Sequence, residues 1–314
     1  MDTVRLPSVT RVAICGGTHG NELSGVYLVR ELQKRERETQ QEAEPVSVVT
    51  VLSNPRAVQQ CRRYTEMDLN RCFTSAILSK QLEVGALYEM ERAQELNKIL
   101  GPRGSATAMD LVCDLHNTTA NMGLCLIAYS DDNWISLHVL KYLQREIQSV
   151  PVRLVDLGMT RSEAYSLESL GKHGLSIEVG PQPHGVLRAD IFSAMQDGVR
   201  SMLDWIRRFN SGTFFQGGEV DVYTMVRSVD YPRDPETGSI TAIIHPQLQD
   251  RDFCVLRPGD PMFLSFTGET QLFEGEEPLY PIFVNECAYY EKGIALWLTR
   301  LRKVQIPPVQ VQAD

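Results

Sequence analysis

"RVAICGGTHGNELSGVYLVRELQKRERE", residues 11 to 38, decides how this chain is read. Its first part is an apolar, β-branched run that stops at Gly16 and Gly17. Its second part sets Leu23, Val26 and Leu32 among lysines, arginines and glutamates. A short apolar run closed by glycine reads as a buried strand, and the spacing after it reads as a helix with one wet face. His19 and Glu22 fall in the turn between the two, three residues apart, where both side chains can be aimed at one point.

The same alternation runs on through "VSVVTVLSN" (46–54), "MDLVCDLHN" (109–117), "GLCLIAYS" (123–130), "VRLVDL" (152–157) and "GLSIEVG" (174–180). Helical patterns lie between and after them, in "YEMERAQELNKILG", "DNWISLHVLKYLQREI" and "LRADIFSAMQDGVRSMLDWIRRF". Strands spaced by helices predict an α/β sheet covered on both faces, and their near-continuous apolar character suits burial on two sides. This organisation fills residues 1–210. "NSGTFFQGG" then breaks the helical pattern, and residues 211–314 read as a smaller, mostly β domain of short pieces separated by Pro and Gly turns. Its end, "RLRKVQIPPVQVQAD", reads as a loosely held tail whose first half can pair at a sheet edge.

The chain has 314 residues, 43% hydrophobic and 23% charged, a composition of soluble globular proteins. A net charge of −9 disfavours a broad nucleic-acid surface, which needs clustered Lys and Arg. The N-terminus lacks the apolar centre of a signal peptide, and no apolar run approaches the roughly 20 residues of a transmembrane helix. Seven cysteines without a CxxC pair point to reduced thiols in a cytoplasmic protein and away from a cysteine-built zinc knuckle.

Zinc accepts imidazole nitrogen and carboxylate oxygen, and a catalytic site usually has three protein ligands. His19 and Glu22 supply two, and His116, at the end of another predicted strand, is the best third. Ligands from neighbouring strand ends meet in the crevice outside the sheet's carboxyl edge. The competing reading makes His19 a loop hydrogen-bonder and Glu22 a first-turn residue favoured by the helix dipole. "GGTHG" is neither a dinucleotide fingerprint nor a Walker loop. Asp114 either orients a histidine ring or caps a turn. Glu178 ends an apolar strand before Gly180 and Pro181, as a general base or as the partner of an arginine or a turn N–H. Arg62, Arg63, Asn70 and Arg71 gather in "CRRYTEMDLNR", either as a carboxylate-binding loop or as a solvated face with Asp68 paired to an arginine; for Arg62 the solvated face is preferred.

Taken in order, "GGTHGNE", "CRRYTEMDLNR", "DLHNTTANMG", "IEVGPQPHGVLRAD" and "VNECAYYEKG" resemble the aspartoacylase family of zinc amidohydrolases, and within it the branch that prefers aromatic substrates. The resemblance spans roughly residues 10 to 295. It implies a zinc-carboxypeptidase-like α/β/α catalytic domain, with the β-rich domain restricting the entrance. It implies one Zn2+ per subunit on His19, Glu22 and His116, with Glu178 as general acid/base. Arg63 is implied to polarise the acyl carbonyl, and Asn70, Arg71 and Tyr289 to hold the substrate's α-carboxylate. Asn117 is implied to contact the substrate or shape the pocket. Tyr290, next in sequence to Tyr289, is the register alternative. A homo-oligomer is implied as well.

The chain departs from the family at residue 168. An aspartoacylase carries an arginine there for the side-chain carboxylate of N-acetylaspartate, whereas this chain has Glu168, with Tyr165 shifted beside it. A glutamate repels an anionic side group unless it is protonated or paired, although Arg161 can fold back to compensate. The expected substrates are small N-acyl, chiefly N-acetyl, amino acids with aromatic or neutral side groups, N-acetyl cysteine conjugates among them. The competing readings are an N-acetylaspartate deacylase, a metallocarboxypeptidase, and a catalytically silent metal-binding protein.

Overall fold

The structure, a computed structural model, describes residues 1–38, 45–129, 133–160 and 162–312. It opens with β1 (Val4–Leu6), β2 (Arg11–Gly16) and α1 (Leu23–Glu38). Next come β3 (Ser47–Leu52), α2 (Pro55–Gln60), α3 (Ser75–Ser79), α4 (Tyr88–Leu100) and β4 (Leu111–Asn117). β5 (Gly123–Ala128), α5 (Trp134–Glu146), β6 (Val152–Asp156), β7 (His173–Gly180) and α6 (Ala189–Asn210) complete the alternating part. The remainder is β8 (Gly218–Val229), β9 (Ala242–Ile244), β10 (Pro261–Ser265), β11 (Thr270–Leu272), β12 (Tyr280–Ile282), β13 (Leu296–Ile306) and β14 (Val309–Val311).

Nine strands form one sheet in the order β12-β13-β8-β6-β5-β7-β4-β2-β3. β3, β2, β4 and β7 run parallel to one another, and β5 reverses direction against β7. Alternate residues of β2 explain why its sequence is apolar throughout. Val12 and Ile14 pack in a core with residues of α1, α5 and α6, while Ala13 and Cys15 pack in another with Leu96 and Leu100 of α4. Burying a side chain such as Ile14 contributes about 1.5–3 kcal/mol, so a polar substitution on either face of β2 disturbs the platform that carries the first turn.

Two glycines bring α1 close to that platform. A Cβ on Gly16 would lie 2.5 Å from Gly25 O, and one on Gly25 would lie 2.9 Å from Leu115 O. Neither position has room for a side chain. The helix therefore starts directly against the ends of β2 and β4.

The C-terminal region is mostly β, as its sequence predicts, and it also joins the central sheet. Residues 211–314 do hold a small three-stranded sheet, β11-β10-β9, with its own core around Tyr231, Phe263 and Phe273. Their longest strands, however, extend the central sheet, with β8 pairing to both β6 and β13. The described part of the tail, up to residue 312, is not loose. β13 pairs with β8 along its length, β14 pairs in parallel with β1, and Val309 is buried. Pro307 and Pro308 end β13, and the Val-Gln-Val alternation after them forms β14 in a separate sheet with β1. "NECAYYEKG" also departs from its strand-like composition. Cys287–Lys292 forms a 3-10 helix, capped by the Glu286 side chain at its start and by left-handed Gly293 at its end.

Candidate metal centre and active site

His19 lies in the turn after β2, Glu22 immediately precedes α1, and His116 is the penultimate residue of β4. All three are buried. His19 Nδ1 is 2.7 Å from Glu22 Oε1, and His116 Nδ1 is 2.9 Å from Glu22 Oε2 and 3.2 Å from His19 Nδ1. One ligand atom from each lies within 4.8 Å of the others, the one such group of His, Cys, Asp and Glu among the described residues.

The backs of both rings favour a cation at the front. His19 Nε2 meets Asp68 Oδ1 at 3.1 Å, and His116 Nε2 meets Asp114 Oδ2 at 2.7 Å. A ring that donates Nε2–H to a carboxylate presents the lone pair of Nδ1. Two such lone pairs and a carboxylate facing one another form an acceptor cluster that a positive charge satisfies. Burial opposes charge on His116, but Asp114 and Glu22 outweigh it and carry its pKa well above the ordinary value. The donor set, two imidazoles and one carboxylate, suits zinc.

Asp114 is itself held by Thr18 Oγ1 at 2.8 Å, so it orients the His116 ring and does not cap a turn. Asn117 is tied into the same network. Its backbone N–H donates to Glu22 Oε2 at 3.0 Å. Its Oδ1 accepts from Ser24 N–H and Gln182 Nε2, and its Nδ2 donates to Val179 O. One amide N–H is left over, and Asn117 lines the cavity while tying Glu22 to the start of α1.

Glu178, on β7, stands in register opposite His116 and lines the same cavity of about 330 Å³. Burial lifts its pKa well above the ordinary carboxylate value, with Glu22 and Glu286 adding to the rise and His116 and Arg63 opposing it. Arg63 reaches Glu22 Oε1 at 3.4 Å and Asp68 Oδ2 at 3.2 Å, and these carboxylates raise its pKa against the effect of burial. Arg62 is exposed, as its solvated reading expects.

Asn70, Arg71, Tyr289 and Lys292 line the cavity too. Asn70 Oδ1 accepts from Leu167 N–H at 3.1 Å, and the Arg71 guanidinium lies 4.6 Å over the Tyr165 ring. Tyr289 faces inward. Tyr290 faces outward, 46% exposed and stacked on Tyr231. Glu168 is buried in the wall, and burial, with Asp114 nearby, raises its pKa. Its burial favours the neutral form over the charged one. Arg161, the expected compensating charge, lies outside the described residues.

Three participants escaped the sequence reading. Asp68 was seen only as a partner for arginine, yet it bridges His19, Arg63 and, at 3.0 Å, Lys292 Nζ. Glu286 accepts from Thr118 Oγ1 and from Thr119 N–H at 2.7 Å, pinning the segment that follows His116. Lys292 adds a cation beside Arg71. The sequence signal for all three was membership of a quoted motif, which does not specify partners.

Comparison with known proteins agrees with this architecture. Residues 8–206 match the succinylglutamate desuccinylase/aspartoacylase catalytic domain, and residues 218–301 match the AstE/AspA barrel-sandwich hybrid domain. The chain is 58% identical over 314 residues, 100% of each chain, to N-acyl-aromatic-L-amino acid amidohydrolase (carboxylate-forming) B of Danio rerio. It is 48% identical to the human N-acyl-aromatic-L-amino acid amidohydrolase (carboxylate-forming), over 95% of this chain and 92% of the other. The crystal structure of murine aminoacylase 3 superposes with a TM-score of 0.92 at 45% identity, covering 98% of this chain and 100% of that one. On its two matched domains and its full-length relatives, the chain belongs to the succinylglutamate desuccinylase/aspartoacylase family.

Proposed function

We propose that this protein is a zinc-dependent amidohydrolase that splits N-acyl, chiefly N-acetyl, amino acids with aromatic or other neutral side groups. N-acetyl cysteine conjugates fall within that class, and the products are a carboxylate and a free amino acid. The observation that carries the reading is the His19–Glu22–His116 cluster, its rings held by Asp68 and Asp114, in one cavity with buried Glu178. When bound there, zinc supplies Lewis acidity that lowers the pKa of water and polarises an acyl oxygen.

The chain's own groups do the rest. Glu178 takes the proton of the attacking water on its carboxylate and passes it to the leaving amine nitrogen. Its burial, which lifts the pKa, suits both the receipt and the return of that proton. Arg63 donates to the carbonyl oxygen as negative charge develops on it. Asn70, Arg71, Tyr289 and Lys292 supply donors for the α-carboxylate, and Arg71 is fixed by its stacking on Tyr165. A covalent acyl-enzyme is unnecessary. Burial raises the pKa values of Cys15, Cys113 and Cys125, and no cysteine is among the residues lining the cavity.

Met225 and Trp297, from β8 and β13, line the cavity with Ile127 and Leu157 of the alternating part. We read residues 211–314 as the part that narrows the entrance, leaving room for a single acylated amino acid and not for a peptide chain. N-acetylaspartate is the second reading, disfavoured by Glu168, which provides no positive charge for a side-chain carboxylate. Reduced thiols favour a cytoplasmic protein: all seven cysteines are free, and among the described residues no helix is long and apolar enough to cross a membrane. Self-association into a homo-oligomer belongs to the same reading and is checked by sedimentation. The deciding experiment compares kcat/KM for N-acetyltyrosine and N-acetylaspartate with the zinc-loaded protein. A preference for tyrosine supports the proposal, and a preference for aspartate reverses it.

A further inference from the structure

β8 and β13 pair along their length, but their register slips once. Met225 stands opposite Thr299 and Arg227 opposite Leu298, so Val226 has no partner on β13. An extra residue in one strand of a pair is a β-bulge, and it re-aims the side chains around it. In a regular strand successive side chains alternate between faces, and residues paired across two strands share a face. Trp297 lines the cavity and pairs with Ser228, so counting back two residues places Val226 on the cavity face. Met225 pairs with Thr299, two residues along from Trp297, and falls on that face as well. The cavity is accordingly lined by Met225 and Val226 together, neighbours that an unbroken strand would turn to opposite sides.

The two differ in what covers them. Met225 packs against the apolar cluster that contains Met122, Ile282 and Phe283. Among the described residues, Val226 packs in no apolar core, and of those that line the cavity it alone is exposed, at 42%. Met225 therefore belongs to the wall, and Val226 stands at the rim. We propose that Val226 is a specificity-determining residue: the bulge presents it to the far end of the substrate's side group, so that the site favours N-acyl amino acids whose neutral side group reaches the rim over those with a short one. This rests on the amidohydrolase reading above. A methyl side group leaves Val226 in water, whereas an S-substituted cysteine or a large aryl group covers it and takes apolar surface out of water.

The test is the ratio of kcat/KM for N-acetyl-S-benzylcysteine to that for N-acetylalanine, measured on the zinc-loaded protein. The parent's ratio is expected to exceed one, and a ratio at or below one overturns the proposal. Val226→Ala is expected to lower the ratio about fivefold, through the loss of two methyl groups that the long side group partly covers. A ratio that stays at the parent's value, including an equal loss on both substrates, overturns it. Arg227→Ala, beside the bulge but on the opposite face, is expected to keep the parent's ratio. An equal fall there would make the backbone of the bulge the cause and overturn the role of Val226. If Val226→Ala fails to fold, Val226→Thr takes its place: it keeps the β-branched shape, exchanges a methyl for a hydroxyl, and is held to the same fall in ratio. Absence of turnover of both substrates by the parent overturns the amidohydrolase reading and this one with it. Turnover with a ratio that no variant moves overturns only this one.

Discussion

The end of the cavity built by β2, β4 and β7 and the wall added by β8 and β13 are made by different means. At the first, each histidine of the triad is held from behind by a buried carboxylate, Thr18 fixes Asp114 in turn, and the Asn117 N–H fixes Glu22. At the second, Met225, Val226 and Trp297 offer apolar surface, and Val226 is 42% exposed. The difference teaches a division of labour. Groups that must stay within tenths of an ångström sit on strand ends with a supporting shell, while groups that need only suit a side chain sit on an appended wall. Changes at the first should therefore remove chemistry, and changes at the second should redistribute substrates.

The sharpest way to break this contrast is Glu178→Gln. It should lower kcat by about two to four powers of ten with bound metal unchanged, as removal of a positioned general base does. Because burial raises the Glu178 pKa and the base must be ionised, the parent's rate should fall with decreasing pH at values above the ordinary carboxylate range. A kcat within tenfold of the parent would remove Glu178 from the reaction. Arg63→Ala comes next, with an expected loss of about two to three powers of ten, chiefly in kcat. A change confined to KM would make Arg63 a binding group only.

Asp114→Asn probes the supporting shell. It should weaken zinc binding about 10- to 100-fold, read by competition with a chelator, with activity recovering at high zinc. Unaltered affinity would show that the His116 ring needs no such support. The smallest effect is expected at Tyr290→Phe. This side chain points away from the cavity, so stability should move by about 1 kcal/mol or less and kcat/KM should hold. A large loss of activity there would mean that Tyr290, not Tyr289, meets the substrate.

The metal end was legible in the sequence because turns punctuate it. Gly16 and Gly17 close β2 ahead of His19, and the strand Leu111–Leu115, apolar except for Asp114, makes His116 conspicuous. Glu178 stood out for the same reason. The link from Asp68 to His19 was not legible, since it joins side chains 49 residues apart and depends on how the loop folds back. Sheet membership was hidden in the C-terminal half. An apolar alternation such as that of β8 marks a strand without saying which sheet it joins. The 3-10 helix at Cys287–Lys292 was masked by aromatic residues that favour strands, while its cap, the Glu286 side chain, accepts from Ala288 N–H and is not one of the usual short capping residues. The final strand was obscured by Pro307 and Pro308, which read as a break and serve as a corner.

The account stands or falls on whether amide cleavage requires an ion held by His19, Glu22 and His116. The direct measurement is turnover of N-acetyltyrosine by the purified protein before and after chelation, with metal content determined in parallel. The prediction is about one zinc per chain, loss of turnover when it is stripped, and recovery on adding one equivalent back. Undiminished hydrolysis by metal-free protein would contradict it.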